Sequence, residues 1–299
     1  MAQVPPRHGG NLQQAALRLG CAPEQVLDFS ASLVPFAPPA AVRRSLRQAL
    51  ALQVYPDRSY CALRQAIALR HQVPADAVLP GNGAAELFTW AARDAAALGL
   101  NHLPAPGFAD YERALRCWGG RWQHEHLQLP HQQAGPQELP EAFRSQLAHL
   151  QGPLWLTNPH NPTGQLWSQE SLLALLERVP LLVVDEAFLP LVPGGEQHSL
   201  VQLASQHPRL VVIRSLTTLF GIAGLRLGYA MAEPKRLQSW RQGRYPWPVN
   251  GFAGAAGERL MADAAWTKKV RAWVATERPW LVDQLVRRGW QVSPSSCNF

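Results

Sequence analysis

Lysine is almost missing from this chain. Only Lys235, Lys268 and Lys269 occur in 299 residues, and none falls between Pro208 and Pro234. The rest of the Lys-plus-Arg total is arginine, and the formal net charge is +7. Arginine suits carboxylate and phosphate recognition, although a compositional bias of the source genome explains the excess as well. The arginines are dispersed, with no basic run interleaved with aromatics, which argues against a nucleic-acid partner. Cysteine is also scarce: Cys21, Cys61, Cys117 and Cys297 show no C-x-x-C spacing. They read as reduced thiols, and no metal site is expected from them. No window holds 18 uninterrupted apolar residues, so no membrane span is expected. The opening, MAQVPPRHGG, lacks the basic-then-apolar pattern of a secretory signal, and a cytoplasmic location is the expectation. Charged residues make up 16% and apolar ones 47%, which excludes a disordered profile and supports a substantial core.

What is present is an alternation of strand-like and helix-like segments. Strands are expected at Ala77–Pro80, Asn101–Pro104, Arg121–Leu127, Pro153–Thr157, Leu181–Asp185 and Leu210–Arg214. One helix is expected after Ser59 as N-cap, with Leu63, Ala66 and Ile67 on one face. Others are expected over Ala84–Leu98, Asp110–Trp118, Glu138–Leu150 and Gln169–Arg178. This order predicts an α/β protein with a mostly parallel sheet. From Trp266 onward, Val270, Trp273, Val274, Leu281 and Leu285 recur at helical spacing, with a bend expected at Pro279. The run 290-WQVSPSSCNF-299 reads as a strand just starting, and a truncated chain is the expectation. There is no internal repeat and no low-complexity tract.

In parallel sheets, sites form at the carboxyl ends of strands, which directs attention to four loops. In 80-PGNGAAELF-88, glycines precede a helix start, an arrangement that offers free N–H groups to an anion, though Gly-Asn-Gly is also an ordinary turn. In 157-TNPHNPTGQLW-167, two Asn-Pro pairs fix an irregular loop. An asparagine there either donates a directed hydrogen bond or forms a structural Asx turn. In 181-LLVVDEAF-188, an apolar strand delivers Asp185 and Glu186. A carboxylate emerging there needs a metal, an arginine or a protonated ring nitrogen as partner, unless the pair merely caps a helix. In 213-IRSLTTLFGIAGLRLGYA-230, hydroxyls, glycines and Arg226 together suit a phosphate. His124 and His126 share a strand face with His131 nearby, and a solvated face is expected rather than a metal site.

Each loop is modest alone, but the ordered set is not. Gly-Asn-Gly-x-x-Glu, Asn-Pro-x-Asn-Pro-Thr-Gly, Asp-Glu-Ala-Phe and Arg-Ser-Leu-Thr through Gly-Leu-Arg-Leu-Gly-Tyr together resemble the fold-type I pyridoxal-phosphate enzymes, along the whole chain. Within them the chain resembles the branch holding histidinol-phosphate aminotransferase and threonine-phosphate decarboxylase. The start, 8-HGGN-11 followed by 28-DFSASLVPFAPP-39, is similar to the decarboxylase.

The resemblance implies a large pyridoxal-phosphate-binding domain over 41–245. An N-terminal segment (1–40) and a partial C-terminal region (246–299) would belong to an incomplete small α+β domain. It implies pyridoxal 5'-phosphate as cofactor, with backbone N–H groups of Gly83, Ala84 and Ala85, and with Ser215, Thr217 and Arg226, around its phosphate. Phe108 would stack on the ring, Asn161 would bond its phenolic oxygen, and Asp185 would pair with its nitrogen. Tyr55 would reach the neighbouring subunit's cofactor, implying a homodimer. His8, Gly9, Gly10 and Asn11 would lie near a small phosphorylated amino-acid substrate.

Departures from the family pattern set the functional expectation. Where the family has the lysine that binds the cofactor covalently and moves protons at the substrate, this chain has Thr218. A hydroxyl can neither form an imine nor act as a general base of useful pKa. An arginine that grips the substrate carboxylate in the family's later C-terminal stretch has no counterpart before Phe299, and Leu33-Val34-Pro35 stands where Ile-Asn-Pro is usual. The expected family function is decarboxylation of L-threonine O-3-phosphate to aminopropanol phosphate, in cobalamin synthesis, with little or no turnover by this chain. A histidinol-phosphate aminotransferase, a non-catalytic binding or dimerisation module, and a damaged copy are the alternatives.

Overall fold

In a computed structural model of the chain, the apolar runs form one mixed sheet. The structure describes residues 9–48, 53–127, 136–137, 145 and 150–299. Its strands are β1 Val78–Asn82, β2 Asn101–Ala105, β3 Trp122–His126, β5 Leu154–Thr157, β7 Leu182–Asp185, β8 Leu210–Ser215 and β9 Leu227–Ala232, in the order β1-β9-β8-β7-β5-β2-β3. A second, two-stranded ladder pairs β4 (Pro136–Gln137) with β6 (Leu166–Trp167). Strands β8, β7, β5, β2 and β3 run parallel, while β9 runs antiparallel to both β8 and β1. The central strands are Val- and Leu-rich and buried throughout, as a sheet covered on both faces requires.

The helices are α1 Leu12–Leu19, α2 Ala40–Gln48, α3 Cys61–His71, α4 Gly83–Ala96, α5 Asp110–Arg116, α6 Gln169–Leu176, α7 Val201–Ala204, α8 Thr217–Phe220, α9 Pro234–Gly243, α10 Gly251–Met261 and α11 Ala264–Val286. One core cluster joins α4, α5 and α9 to inward residues such as Val183, Val211 and Ile213. The other joins α3, α6, α10 and α11 to Val184, Val212 and Met231 on the opposite face.

The chain divides into two compact units, 1–33 and 34–299. In the described part of the first, Asn11 caps α1 by accepting the Gln14 N–H at 3.1 Å, and Gly20 ends that helix in the left-handed region. A Cβ on Gly9 would collide with the Ser30 carbonyl oxygen, and the Gly10 N–H donates to Ser30 Oγ at 2.8 Å. Gly9 is therefore required by packing within this unit, and Gly10, at φ +80°, by its left-handed backbone.

Three expectations need correction. Ser59 does not cap α3: Tyr60 is the N-cap, and Asp57 accepts the Cys61 and Ser59 N–H groups at 2.7 and 2.9 Å. No strand forms over 290–299. Pro294 and the flanking serines favour a turn, in which Ser295 Oγ accepts the Cys297 N–H at 3.1 Å, and the Ser296 N–H donates to Gly164 O at 2.7 Å. Leu281 is 50% exposed rather than core, although Val270 and Val274 are fully buried and α11 continues through Pro279. The helix expected over 138–150 lies almost wholly outside the described residues, as does His131.

β1 is an edge strand, and arginines close its free side. Arg64 donates to the carbonyls of Ala75 and Val78, Arg241 to those of Asp76 and Val78, and Arg244 to that of Pro80. Such capping blocks edge-to-edge pairing with another chain.

Candidate active site

Strand direction assembles the site. β2, β5, β7, β8 and β1 all point their carboxyl ends to one side of the sheet, and the reversed β9 starts there. The loops selected from sequence therefore meet along one edge. Register places Thr157 beside Asp185, Asp185 beside Ile213, Ser215 beside Gly228, and Leu227 beside Asn82.

At one end of that edge, α4 begins directly after β1. Its N-cap, Asn82, makes no side-chain capping bond, and among the described residues no side chain accepts from the first-turn N–H groups of Gly83, Ala84 and Ala85. Gly83 has φ +72°, and a Cβ there would lie 2.5 Å from Arg226 Nη2. The Arg226 guanidinium thus packs over the helix start. Gly228 permits this approach, because its Cβ would come within 2.8 Å of both the Ala84 nitrogen and the Arg214 carbonyl oxygen. Ser215 Oγ accepts the Thr217 N–H at 3.2 Å and sits at the same strand end. An uncovered helix start, a hydroxyl and a guanidinium form a cup of positive potential suited to a phosphate group.

Next along the edge is Asp185. It is 5% exposed, and its partners are neutral: Oδ1 accepts the Ala187 N–H at 2.9 Å and Oδ2 accepts the Tyr111 hydroxyl at 2.8 Å. Burial pushes its carboxyl up to about 6, against the lowering effect of those two bonds. Glu186 behaves differently. Arg214 meets it at 2.7 Å, and Ser199 and the Leu200 N–H complete its shell. Of the partners open from sequence, an arginine thus serves Glu186, whereas Asp185 has no cation among the described residues.

Tyr111 was passed over in the sequence reading. Its hydroxyl also lies 2.8 Å from Thr157 Oγ1, and its ring meets Phe108 edge-on at 5.5 Å. The available signal was an aromatic in the first turn of the helix expected from Asp110, close behind the loop carrying Phe108. The Asn-Pro loop divides its work. Asn158 is structural, exchanging hydrogen bonds with the Trp167 backbone at 2.9 and 3.2 Å. Asn161 makes no side-chain hydrogen bond among the described residues. His160 ties this loop to the one bearing Phe108 by donating from Nε2 to Pro106 O at 2.7 Å.

Thr218 is buried in α8, one residue beyond Thr217. No lysine stands in for it. β9 carries the chain about 17 Å back across the sheet before Lys235, to the opposite edge. Lys269 Nζ lies over the rings of Phe36 and Trp266, at 4.3 and 5.2 Å. Tyr55 is 74% exposed and stacks on Trp247 at 4.3 Å. His8 lies outside the described residues, and Gly9, Gly10 and Asn11 belong to the first unit. His124 pairs with Glu112 at 3.2 Å, and both it and His126 are exposed. No helix among the described residues is long and apolar enough to cross a membrane.

The chain is similar in sequence and fold to known proteins. The chain is 37% identical over 280 residues to threonine-phosphate decarboxylase of Salmonella typhimurium, covering 89% of this chain and 73% of that one. It is 33% identical to a histidinol-phosphate aminotransferase of Anaeromyxobacter, covering 87% and 71% respectively. Its fold matches histidinol-phosphate aminotransferase from Sinorhizobium meliloti, solved in complex with pyridoxal-5'-phosphate, with a TM-score of 0.83 at 20% identity over 99% of this chain and 81% of that one. The family model of class I and II aminotransferases matches residues 24–299. With its mostly parallel sheet, uncovered helix start and buried acid at the strand ends, this chain belongs to the class I and II aminotransferase family.

Proposed function

We propose that this chain carries the site of a pyridoxal-phosphate-dependent decarboxylase of L-threonine O-3-phosphate, with turnover lost or severely reduced at Thr218. The observation that carries the reading is Asp185, a buried carboxylate with only neutral donors beside a phosphate cup. A protonated ring nitrogen supplies the cation that this carboxylate lacks. The residues therefore fit the cofactor non-covalently.

In this reading, Gly83, Ala84, Ala85, Ser215, Thr217 and Arg226 would hold the phosphate, and Phe108 and Asn161 would hold the ring face and its phenolic oxygen. When bound, the cofactor ring supplies an electron sink for the pair left at the substrate α-carbon. Asp185 would keep the ring nitrogen protonated, and Tyr111 holds Asp185 in place. In decarboxylation the bond from the α-carbon to the carboxylate breaks, carbon dioxide leaves, and a proton is added at the α-carbon. Thr218 occupies the position of the proton carrier, and its hydroxyl is far too weak an acid and base for that role. The 37% identical relative favours the phosphothreonine substrate, whose product, aminopropanol phosphate, belongs to cobalamin synthesis. Tyr55, exposed and supported by Trp247, would complete the partner subunit's site in a homodimer.

The test compares the chain with Thr218→Lys after incubation with pyridoxal phosphate and borohydride. The expected result is cofactor removable by gel filtration from the chain as it stands, and cofactor mass fixed on the peptide containing position 218 in the variant. Thr218→Lys should then release carbon dioxide from L-threonine O-3-phosphate. Cofactor fixed to the unaltered chain would overturn the assignment of Thr218. Amino transfer from histidinol phosphate without carbon dioxide release would place the chain with the aminotransferases instead. No cofactor retention by either protein would favour a non-catalytic role.

A further inference from the structure

The free edge of β1 holds more positive charge than edge capping consumes. Arg64, Arg241 and Arg244 donate there to backbone carbonyls, which are neutral acceptors. With Arg58 they line a cavity of about 180 Å³, and no carboxylate is among its lining residues. That volume equals about six waters in the liquid, enough for one tetrahedral oxyanion and part of its shell.

Neighbouring acids balance the four guanidinium groups only in part. Glu86 Oε2 accepts the Asn82 N–H at 2.6 Å, and Glu86 Oε1 forms an ion pair with Arg244 at 3.7 Å, longer than a hydrogen bond. Asp57 is committed to the backbone at the start of α3. Asp76 meets Arg241 through its backbone carbonyl. Arg241 Nε is buried without a partner. Arg58 makes no hydrogen bond or ion pair among the described residues. Burial first, and then the guanidinium groups of Arg64 and Arg244, push Arg241 down to about 10, with Asp76 acting against them. Ser59 and Tyr245 bring hydroxyls to the same cavity. Capping alone accounts for neither Arg58 nor the unsatisfied Nε of Arg241.

We infer that this cavity binds a tetrahedral oxyanion, either inorganic phosphate or the phosphoryl group of a small ester, as a second anion site that shares no lining residue with the cup at Gly83 and Arg226. Guanidinium groups suit such an anion because their planar forks give paired, charge-assisted bonds. The bound charge relieves the repulsion among Arg58, Arg64, Arg241 and Arg244, and it fixes the turn that carries Tyr245 and Trp247.

The experiment is a calorimetric titration of the full chain with inorganic phosphate, and separately with O-phospho-L-threonine, at an ionic strength held constant with sodium chloride. Arg226→Gln should remove binding at the cup and leave phosphate binding at the arginine cavity. Adding Arg58→Gln should weaken the remaining binding at least tenfold. Because Arg58 has no partner to lose among the described residues, circular dichroism should show an intact fold. Arg241→Gln, where it folds, should do the same. The inference is overturned if Arg226→Gln abolishes all phosphate binding, or if Arg58→Gln leaves the remaining affinity unchanged. Equal affinity for phosphate and phosphothreonine identifies the free ion as the ligand, whereas a tenfold preference for the ester identifies a phosphorylated metabolite.

Discussion

The Tyr111 hydroxyl donates to Asp185 Oδ2 at 2.8 Å, and the Tyr111 hydroxyl oxygen also lies 2.8 Å from Thr157 Oγ1. Three neighbouring strand ends and loops are joined at this point, within a region closed to water. The relationship holds a buried carboxylate in one orientation before any ligand arrives.

Removing that acid should stabilise the protein when no cofactor is bound. The folded pKa of Asp185, about 6, lies above its ordinary value of 3.8. A raised pKa favours the folded state below the ordinary value, and this advantage is lost as pH rises through the folded pKa. Wild-type stability should therefore fall between about pH 4 and pH 6. Asp185→Asn should be more stable at pH 8 by about 3 kcal/mol, since each pKa unit corresponds to ~1.4 kcal/mol. Urea unfolding across pH 4.5–8 reads this, and equal stability of both proteins at pH 8 would contradict it.

Tyr111→Phe should act in the opposite direction. It leaves an ionised, buried carboxylate with one donor fewer, at a cost of about 1–3 kcal/mol. The loss should be larger at pH 8 than at pH 5, where Asp185 is protonated. A pH-independent loss would mean that the ring's packing, not its hydroxyl, matters.

Gly228→Ala tests how the phosphate cup is built. The added methyl meets backbone atoms of Ala84, Arg214 and Gly83 at 2.8–3.0 Å, and none of these can swing aside. A loss of about 1–3 kcal/mol is expected. Phosphate affinity at the cup should fall with it, because the start of α4 must shift. The denaturation midpoint and a phosphate titration check the two effects separately.

Arg214→Met should be severe. Glu186 is fully buried and Arg214 nearly so, and breaking such a pair from one side costs about 3–5 kcal/mol. The double change Arg214→Met with Glu186→Met should recover part of that loss, since the Glu186 charge leaves with its partner while Glu196, which Arg214 also meets at 2.9 Å, keeps only Arg271 at 3.2 Å. A double variant no better than Arg214→Met would sink this account.

Much of the site could be read in the sequence because turn chemistry is local. Asn-Pro, Gly-Asn-Gly and the glycines around Arg226 announce loops wherever they fold, and an apolar run ending in Asp185 announces a strand end. What escaped depends on partners. β9 was not expected, because Leu227–Ala232 is built from small and mixed residues and becomes a strand only between β1 and β8. The division of labour between Asp185 and Glu186 was also hidden, since adjacent residues on a strand face opposite sides and only the fold shows which side holds Arg214. The strand expected after Trp290 failed for a local reason: Pro294 lacks a donor for a ladder, and Ser295 bonds the Cys297 N–H in a turn instead.

The reversal of β9 restricts where a lysine could serve the proposed site. Residues 216–226 are the tip of a hairpin whose two arms are β8 and β9, and only that tip lies among the strand ends where Asp185 emerges. Residues at the far ends of the arms are carried to the other rim of the sheet. Selection for renewed activity should therefore recover lysines within this eleven-residue window and not in the segment that follows it.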